Sequence, residues 1–232
     1  PAAAEVSMVE RNIMLGELTG CHVHIQHVSC AGSVDAMRRA KARGLKVTCE
    51  TCPQYFTLTD EALVDYDTNT KVNPPLRTSA DVEAVKAGLA DGTIDIIATD
   101  HAPHSAEDKE VEMTIASFGM VGLETALPLV ITKLVNEGTL TLSQAIEKLT
   151  IAPAKLLGLN AGTLTEGAPA DITILDPGAE VIVDSSSFKS MGRNTPFNGW
   201  KLKGAVAATI VGGTFAYGQL SPVGEKCEVL SR

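Results

Sequence analysis

Helix-type and strand-type segments alternate through the first 158 residues, and this alternation limits the fold more than any other feature of the chain. Apolar residues at three- and four-residue spacing predict helices, and short runs rich in β-branched residues predict strands between them. The predicted helices cover residues 1–19, 33–42, 81–90 (capped by Asp81), 120–136 and 143–158, and the predicted strands cover 21–29, 45–50 and 94–99. Strands that alternate with helices in this way form a parallel α/β sheet or barrel.

The sequence changes in character after the last predicted helix. Residues 163–217 are richer in Gly, Pro, Thr and Val, and 171–176 and 207–213 predict short strands. We therefore expect two parts. Residues 1–160 would form the α/β part, and residues 161–232 would form a small β module with a C-terminal tail.

The composition excludes several kinds of partner. The formal net charge is −9 (19 Lys+Arg against 28 Asp+Glu) and aromatic residues make up 4% of the chain, so nucleic acid is not an expected partner. No apolar run approaches the ~20 residues that cross a bilayer, so a membrane is not expected either. Five cysteines without disulfide-scaffold spacing, and a start without signal-peptide features, predict reduced thiols and a cytoplasmic setting.

Two of the predicted strands end in side chains that bind metals. His27 lies at the end of the first strand and Asp100 follows the third. In α/β barrels, functional groups gather at the carboxyl ends of strands, and imidazole and carboxylate are ligands that zinc accepts. The alternatives are a hydrogen-bonded core histidine for His27 and a turn or helix-capping role for Asp100. The spacing alone leaves both interpretations open.

Five phrases that span nearly the whole chain carry a resemblance to a known family. They are His24-Ile-Gln-His27-Val-Ser29, Lys71-Val-Asn-Pro-Pro-Leu-Arg77, Ala98-Thr-Asp-His-Ala-Pro-His104, Phe118-Gly-Met-Val-Gly-Leu-Glu-Thr125 and Asn194-Thr-Pro-Phe-Asn-Gly-Trp200. With these phrases the chain resembles the C-terminal part of the dihydroorotases, in the cyclic amidohydrolase superfamily. The resemblance implies an α/β fold: the C-terminal portion of a (β/α)8 metallo-dependent hydrolase barrel, about strands 6–8 with their helices, plus part of a small flanking β-sandwich.

The resemblance also implies a chemistry and a set of site residues. The implied activity is the zinc-dependent interconversion of dihydroorotate and N-carbamoyl-L-aspartate in pyrimidine biosynthesis, with one or two zinc ions (Zn2+) in the site. His27 and Asp100 would be metal ligands, and Asp100 would also be the catalytic acid and base. Asn73 and His104 would hold the substrate, and the Phe118-Gly119 backbone would close over its ring.

Two motif-like pairs receive structural interpretations instead. His22-Val-His24 imitates the His-x-His metal motif, but strand alternation predicts that its side chains lie on the opposite face from His27. Cys49 and Cys52 form a lone C-x-x-C, which without a second pair is expected to be two small buried thiols rather than a redox or zinc motif.

Three further features concern the surroundings of the site. Arg77 is expected to form a structural ion pair rather than to bind a ligand. The charged segment 107–112 is expected to be solvated surface, with a mobile lid as the alternative. Gln54-Tyr55 departs from the dihydroorotase pattern, which usually has His followed by His or Tyr, and is closer to that of the hydantoinases.

Several elements of the family pattern have no counterpart in these 232 residues. They are the first-strand His-x-His motif, the bridging carboxylate and the fifth-strand His, and only about three of eight barrel strands are expected here. We therefore expect a C-terminal fragment that is inactive alone. Its expected partners are a small-molecule substrate and the missing N-terminal half of the barrel, and a homodimer is compatible with the family.

Two alternative functions remain open. The first is a different cyclic amidase, such as a hydantoinase, dihydropyrimidinase or allantoinase; Lys71-Val-Asn-Pro-Pro argues against it and Gln54-Tyr55 favours it. The second is a non-catalytic dihydroorotase-like protein that serves as a structural partner of aspartate carbamoyltransferase. The presence of both His27 and Asp100 argues against this loss of function.

Overall fold

The computed structural model describes residues 1–218, and its elements follow the predicted alternation. The helices are α1 (Ala2–Thr19), α2 (Ala31–Ala42), α3 (Ser79–Ala90), α4 (Ala106–Lys109), α5 (Leu123–Val130), α6 (Leu142–Leu149) and α7 (Ile151–Leu157). The strands are β1 (Val23–Ile25), β2 (Val47–Thr51), β3 (Ile96–Ile97), β4 (Ile172–Ile182), β5 (Lys201–Val211) and β6 (Thr214–Tyr217). No helix within this part of the chain has the length and apolar character needed to cross a bilayer.

Local side-chain and backbone chemistry decides where the helices begin and end. Gly20 ends α1 in the left-handed conformation (φ 72°), and its amide donates to the Gly16 carbonyl. The start of α3 corrects a prediction, because its cap is Thr78 and not Asp81. The Thr78 side chain accepts from the Asp81 amide while the Asp81 side chain accepts from the Thr78 amide, which is a capping box. Asp81 is therefore the third helical residue.

The first sheet is parallel and has the order β1-β2-β3. Val23 pairs with Val47, and Glu50 pairs with Ile96. The helices α1, α2 and α3 contribute to the core beside this sheet, with buried side chains that include Val9, Ile13, Val34, Met37, Val85 and Leu89. Because the strands are parallel, their carboxyl ends meet at one edge of the sheet, and the predicted metal-binding residues follow that edge.

The second sheet is antiparallel and has the order β4-β5-β6. The predicted strands 171–176 and 207–213 correspond to the first half of β4 and the end of β5, but Gly212-Gly213 turns the chain into β6 instead of extending β5. Leu202 of β5 shares a buried cluster with Cys52 and Leu129, so this sheet packs close to the end of β2. The division near residue 160 stays a prediction, and the predicted tail beyond residue 218 lies outside the described residues.

Candidate metal and substrate site

The carboxyl edge of the parallel sheet brings together three side chains that can bind a metal. His27 Nε2 lies 3.5 Å from Asp100 Oδ1, and one ligand atom from each of His27, Cys52 and Asp100 lies within 4.8 Å of the others. His27 (φ 56°) and Asp100 (φ 49°) both have left-handed backbones, which non-glycine residues rarely adopt. The fold therefore holds two strand-end residues in unusual conformations where their side chains meet.

Glu50 is the carboxylate that orients this group from the end of β2. Its Oε2 accepts from His24 Nε2 at 3.2 Å, and its Oε1 lies 3.3 Å from His27 Nδ1, within ion-pair distance. Burial raises the pKa of Glu50, but the hydrogen bonds from the two imidazoles outweigh burial and hold this pKa at about 2. The hydrogen bond to Glu50 also raises the pKa of His27. Since Nδ1 is engaged by Glu50, Nε2 is the nitrogen that faces Asp100.

The position of His24 corrects the sequence prediction. His24 and His27 were expected on opposite faces, yet both contact Glu50. The strand ends at Ile25, and the left-handed backbone at His27 breaks the alternation on which the prediction depended. His22 and His24 also contact Thr48 Oγ1, at 2.9 and 2.8 Å, and neither belongs to the potential metal group found among the described residues.

The two predicted buried thiols are confirmed, and one of them is closer to the site than the sequence indicated. Cys49 and Cys52 are both fully buried, and burial raises the pKa of Cys49 to about 12 and that of Cys52 well above its usual value. Cys52 Sγ lies 3.3 Å from His27 Nδ1. The four cysteines that the structure describes are free, and Cys227 lies outside that part of the chain.

The predicted substrate residues divide into a connected group and a separate one. His104 Nε2 donates to the Phe118 carbonyl at 2.8 Å, and the Gly119 amide donates to the Lys71 carbonyl at 2.8 Å. Gly119 has φ 124°, and a Cβ there would lie 2.4 Å from the Ala102 side chain, so the close approach of these two loops requires glycine.

Among the described residues, Asn73 belongs neither to the potential metal group nor to the hydrogen-bonded group around Phe118. Its side chain is exposed, and it precedes Pro74 in the loop that also carries Lys71. The buried Tyr55 hydroxyl donates to the Pro74 carbonyl at 2.8 Å and holds this loop. Tyr55, one of the two residues at which the sequence departs from the dihydroorotase pattern, therefore contacts the segment that carries Asn73.

Two further residues, which the sequence did not single out, contact the loop that carries Phe118 and Gly119. Lys109 is 3% exposed, so the prediction of a solvated surface for segment 107–112 is wrong at this residue. Its ammonium donates to the carbonyls of Ser117 and Gly119 at 2.8 and 3.0 Å. Asn194, which belongs to one of the family-like phrases, donates to the Gly119 carbonyl at 3.2 Å and accepts from the His104 amide at 3.0 Å.

The ion pair predicted for Arg77 is confirmed. Arg77 forms an ion pair with Glu5 at 3.2 Å, and the two side chains are 10% and 11% exposed. Glu5 also accepts from the Ser29 amide at 3.0 Å, just beyond His27. This pair therefore fastens α1 to the segment that follows β1.

Comparison with known proteins agrees with this arrangement. The model of the amidohydrolase family matches residues 9–216. The chain belongs to the amidohydrolase family. It is 62% identical over 213 residues to a dihydroorotase from Pelotomaculum thermopropionicum and 60% identical over 213 residues to one from Acetivibrio thermocellus. These matches cover 92% of the chain and 50% of each relative, so the chain spans about half the length of these curated relatives.

Solved structures with this amidohydrolase fold are also similar to the chain, which covers about half the length of each. An L-hydantoinase (dihydropyrimidinase) from Arthrobacter aurescens superposes with a TM-score of 0.89 at 36% identity, over 100% of this chain and 51% of that one. A D-hydantoinase from a Bacillus species superposes with a TM-score of 0.85 at 28% identity, over 94% of this chain and 49% of that one. The parallel sheet is thus part of an amidohydrolase barrel.

The donor set at the strand ends fits a divalent metal of the kind that this family uses. An imidazole nitrogen and a carboxylate oxygen 3.5 Å apart are donors that a divalent ion can bridge, and both suit zinc. Glu50, 3.3 Å from His27 Nδ1, is in the position of the outer carboxylate that commonly fixes a metal-binding histidine. The described residues thus offer His27 and Asp100 as ligands, with Cys52 alongside.

Proposed function

We propose that this chain carries half of the active site of a zinc-dependent dihydroorotase, which interconverts dihydroorotate and N-carbamoyl-L-aspartate in pyrimidine biosynthesis. The observation that carries the proposal is the His27–Asp100 pair, oriented by Glu50, in a chain 62% identical to a dihydroorotase. Cyclic amides resist attack by water, so their opening needs a polarised carbonyl and a group that moves protons.

His27 Nε2 and Asp100 would hold the zinc, of which the family uses one or two. When bound, zinc supplies Lewis-acid chemistry, which polarises an amide carbonyl and makes water more acidic. Asp100 would take a proton from the attacking water and return it to the leaving ring nitrogen. Burial raises the pKa of Asp100, although His27 opposes this effect, and a raised pKa favours proton uptake at that carboxylate.

The substrate would be held by the loops beyond the strands. Because a carbonyl can only accept, the His104 Nε2 proton is committed to Phe118, which leaves His104 Nδ1 for a substrate group. Asn73 offers both an amide donor and an acceptor, which match a ring amide. The Phe118-Gly119 backbone would cover the ring.

The remaining ligands would come from barrel segments that correspond to the other half of the relatives. The expected partners are thus a small-molecule substrate and this missing half, and a homodimer is compatible with the family. We place the protein in the cytoplasm, because the four cysteines of residues 1–218 are free and three of them are buried.

The test is ring opening by the full-length, zinc-loaded protein, with dihydroorotate, hydantoin and dihydrouracil as parallel substrates. Activity confined to dihydroorotate supports the proposal. The second candidate is a hydantoinase-type amidase, which Gln54-Tyr55 and the superposition with the L-hydantoinase favour. Activity on hydantoin or dihydrouracil instead would establish it. Well-folded protein without activity on any of the three would favour a structural partner of aspartate carbamoyltransferase.

A further inference from the structure

Lys109 has a buried ammonium that forms no ion pair with a carboxylate of residues 1–218, although Asp67, which lines the same cavity, attracts its charge. It lies in the charged segment that follows Asp100, at the end of α4, yet only 3% of it is exposed. Both hydrogen-bond partners of its Nζ are backbone carbonyls. A lysine is rarely buried unless paired, because desolvation disfavours its charge, and burial here lowers the pKa of Lys109 to about 8. A role as a solvated surface charge therefore does not explain a lysine at this position.

The carbonyls that Lys109 binds belong to the loop proposed to cover the substrate. Lys109 Nζ donates to Ser117 at 2.8 Å and to Gly119 at 3.0 Å, and these residues flank Phe118. The carbonyl between them accepts from His104 Nε2 at 2.8 Å. Three consecutive carbonyls of an irregular loop are thus each satisfied by a buried or half-buried side chain, where surface loops usually rely on water.

A second set of contacts ties Lys109 itself to the surrounding backbone. The Thr68 hydroxyl donates to the Lys109 carbonyl, and the Ser117 amide donates to the Asp108 carbonyl at 3.1 Å. Asn194 shares the Gly119 carbonyl with Lys109, at 3.2 Å. The lysine therefore connects α4 to the covering loop from within the protein, and its ammonium is the donor shared by two of the three carbonyls.

A polar cavity of about 470 Å³ borders this connection. Lys109, His104 and Asn194 line it together with Asn69 and Arg193. Because Lys109 itself lines this cavity, water can enter the space that its ammonium leaves, and loss of the lysine is expected to loosen the loop rather than to prevent folding.

We propose that Lys109 is a positioning residue for the substrate, because its ammonium fixes the Ser117-Phe118-Gly119 backbone in the geometry that closes over the substrate ring. The kinetic part of this inference rests on the proposed dihydroorotase function. The backbone part stands on the contacts alone. The loop would cover the ring rather than hold the reacting atoms, so its loss is expected to affect the ground state and the transition state alike.

The experiment compares full-length, zinc-loaded wild type with Lys109→Met, which keeps the length of the side chain and removes its donors. Lys133→Met is the matched control, because Lys133 is partly exposed and pairs with Glu137. We expect Lys109→Met to raise KM for dihydroorotate about 10-fold with kcat changed less than about 3-fold, since two charge-assisted hydrogen bonds are lost. Amide hydrogen exchange over residues 116–120 should become about 10-fold faster in the same variant. Lys133→Met should change neither quantity.

Each other outcome overturns the inference or supports it. A folded Lys109→Met protein with unchanged exchange over residues 116–120, or with unchanged KM, overturns it. If wild type does not open dihydroorotate, the proposed function fails; faster loop exchange then still supports the backbone role and unchanged exchange refutes it. If Lys109→Met does not fold, Lys109→Gln, which keeps a neutral donor, is measured against the same criteria.

Discussion

The two sheets of this protein differ in which residue types adopt left-handed backbone conformations beside them. Of the three non-glycine residues with positive φ among residues 1–218, His27 and Asp100 lie at the strand ends of the parallel sheet. Around the antiparallel sheet, from Gly158 to Gly218, the described positive-φ positions are all glycines. Each left-handed non-glycine residue costs about 1–3 kcal/mol and persists only where its surroundings hold it.

We interpret this difference through the proposed function, in which the parallel sheet carries the reacting side chains and the antiparallel sheet supports them. At the antiparallel sheet the backbone geometry alone is needed, so glycine supplies it without a side chain. At the parallel sheet the proposed chemistry would need the side chains of His27 and Asp100 in that geometry, which would account for the strain. Four substitutions test this comparison, in order of decreasing expected effect.

Asp100→Asn tests the parallel sheet most severely. The amide cannot take the proton that the carboxylate is proposed to transfer, so we expect kcat for dihydroorotate to fall about 10²- to 10⁴-fold. The change is nearly isosteric, so the Tm should move little. Asp176→Asn in β4 is the control, because the Asp176 side chain lies far from the candidate site in sequence and accepts from the Gly178 and Ala179 amides. An Asp100→Asn protein that keeps a tenth or more of wild-type kcat would remove Asp100 from proton transfer.

Arg77→Met tests whether buried contacts hold the strained end of β1. It would leave Glu5 buried without its cation, which typically costs about 3–5 kcal/mol of unfolding free energy. Urea denaturation of the full-length protein measures this loss.

The control is Arg38→Met, which breaks the Arg38–Asp91 pair at 2.7 Å, where both side chains are 44% exposed. Such surface pairs contribute about 0–1 kcal/mol. Equal losses for the two arginines would show that the Arg77 contact does not support the strand end.

Glu50→Gln tests the orientation of His27. The amide of glutamine cannot accept from His24 and His27 as strongly as the carboxylate does, so the His27 ring loses its fixed direction. Loss of such an outer contact typically weakens metal binding about 10- to 100-fold. Competition with a chromogenic chelator measures the zinc affinity. Glu180→Gln in β4, an exposed position, should leave it unchanged. Wild-type affinity in Glu50→Gln would mean that Glu50 plays no part in metal binding.

Tyr66→Gly tests the strain argument where no chemistry is proposed. Tyr66 is the third non-glycine residue with positive φ (54°), and its side chain is 75% exposed. Relief of the left-handed strain should raise the unfolding free energy by up to about 1 kcal/mol, partly offset by the greater chain entropy of glycine, without a change in kcat. A clear loss of stability or activity would indicate that Tyr66 has a role of its own.

Much of the architecture was predictable because its causes are local. Apolar spacing and glycine positions determined the alternation of helices and strands, and the strand-end positions of His27 and Asp100 followed from it. The parallel strand pairing, the buried thiols and the ion pair of Arg77 were also predicted and are confirmed. The Thr78 capping box was readable from the sequence and was missed.

Only the tertiary structure decided the contacts that shape the candidate site. His27 and Cys52 lie 25 residues apart, and Gly119 and Asn194 lie 75 apart. The alternation of side chains along a strand does not extend to His27, because the left-handed backbone there redirects its side chain. Such a conformation persists only where the folded chain stabilises it, so the sequence did not predict it. The charged sequence around Lys109 predicts a solvated side chain. In the structure Lys109 is buried, because its ammonium donates to the carbonyls of a loop that follows it in the chain. Local patterns report which residues can form an element, whereas the partners of a polar side chain are determined only when distant segments pack together.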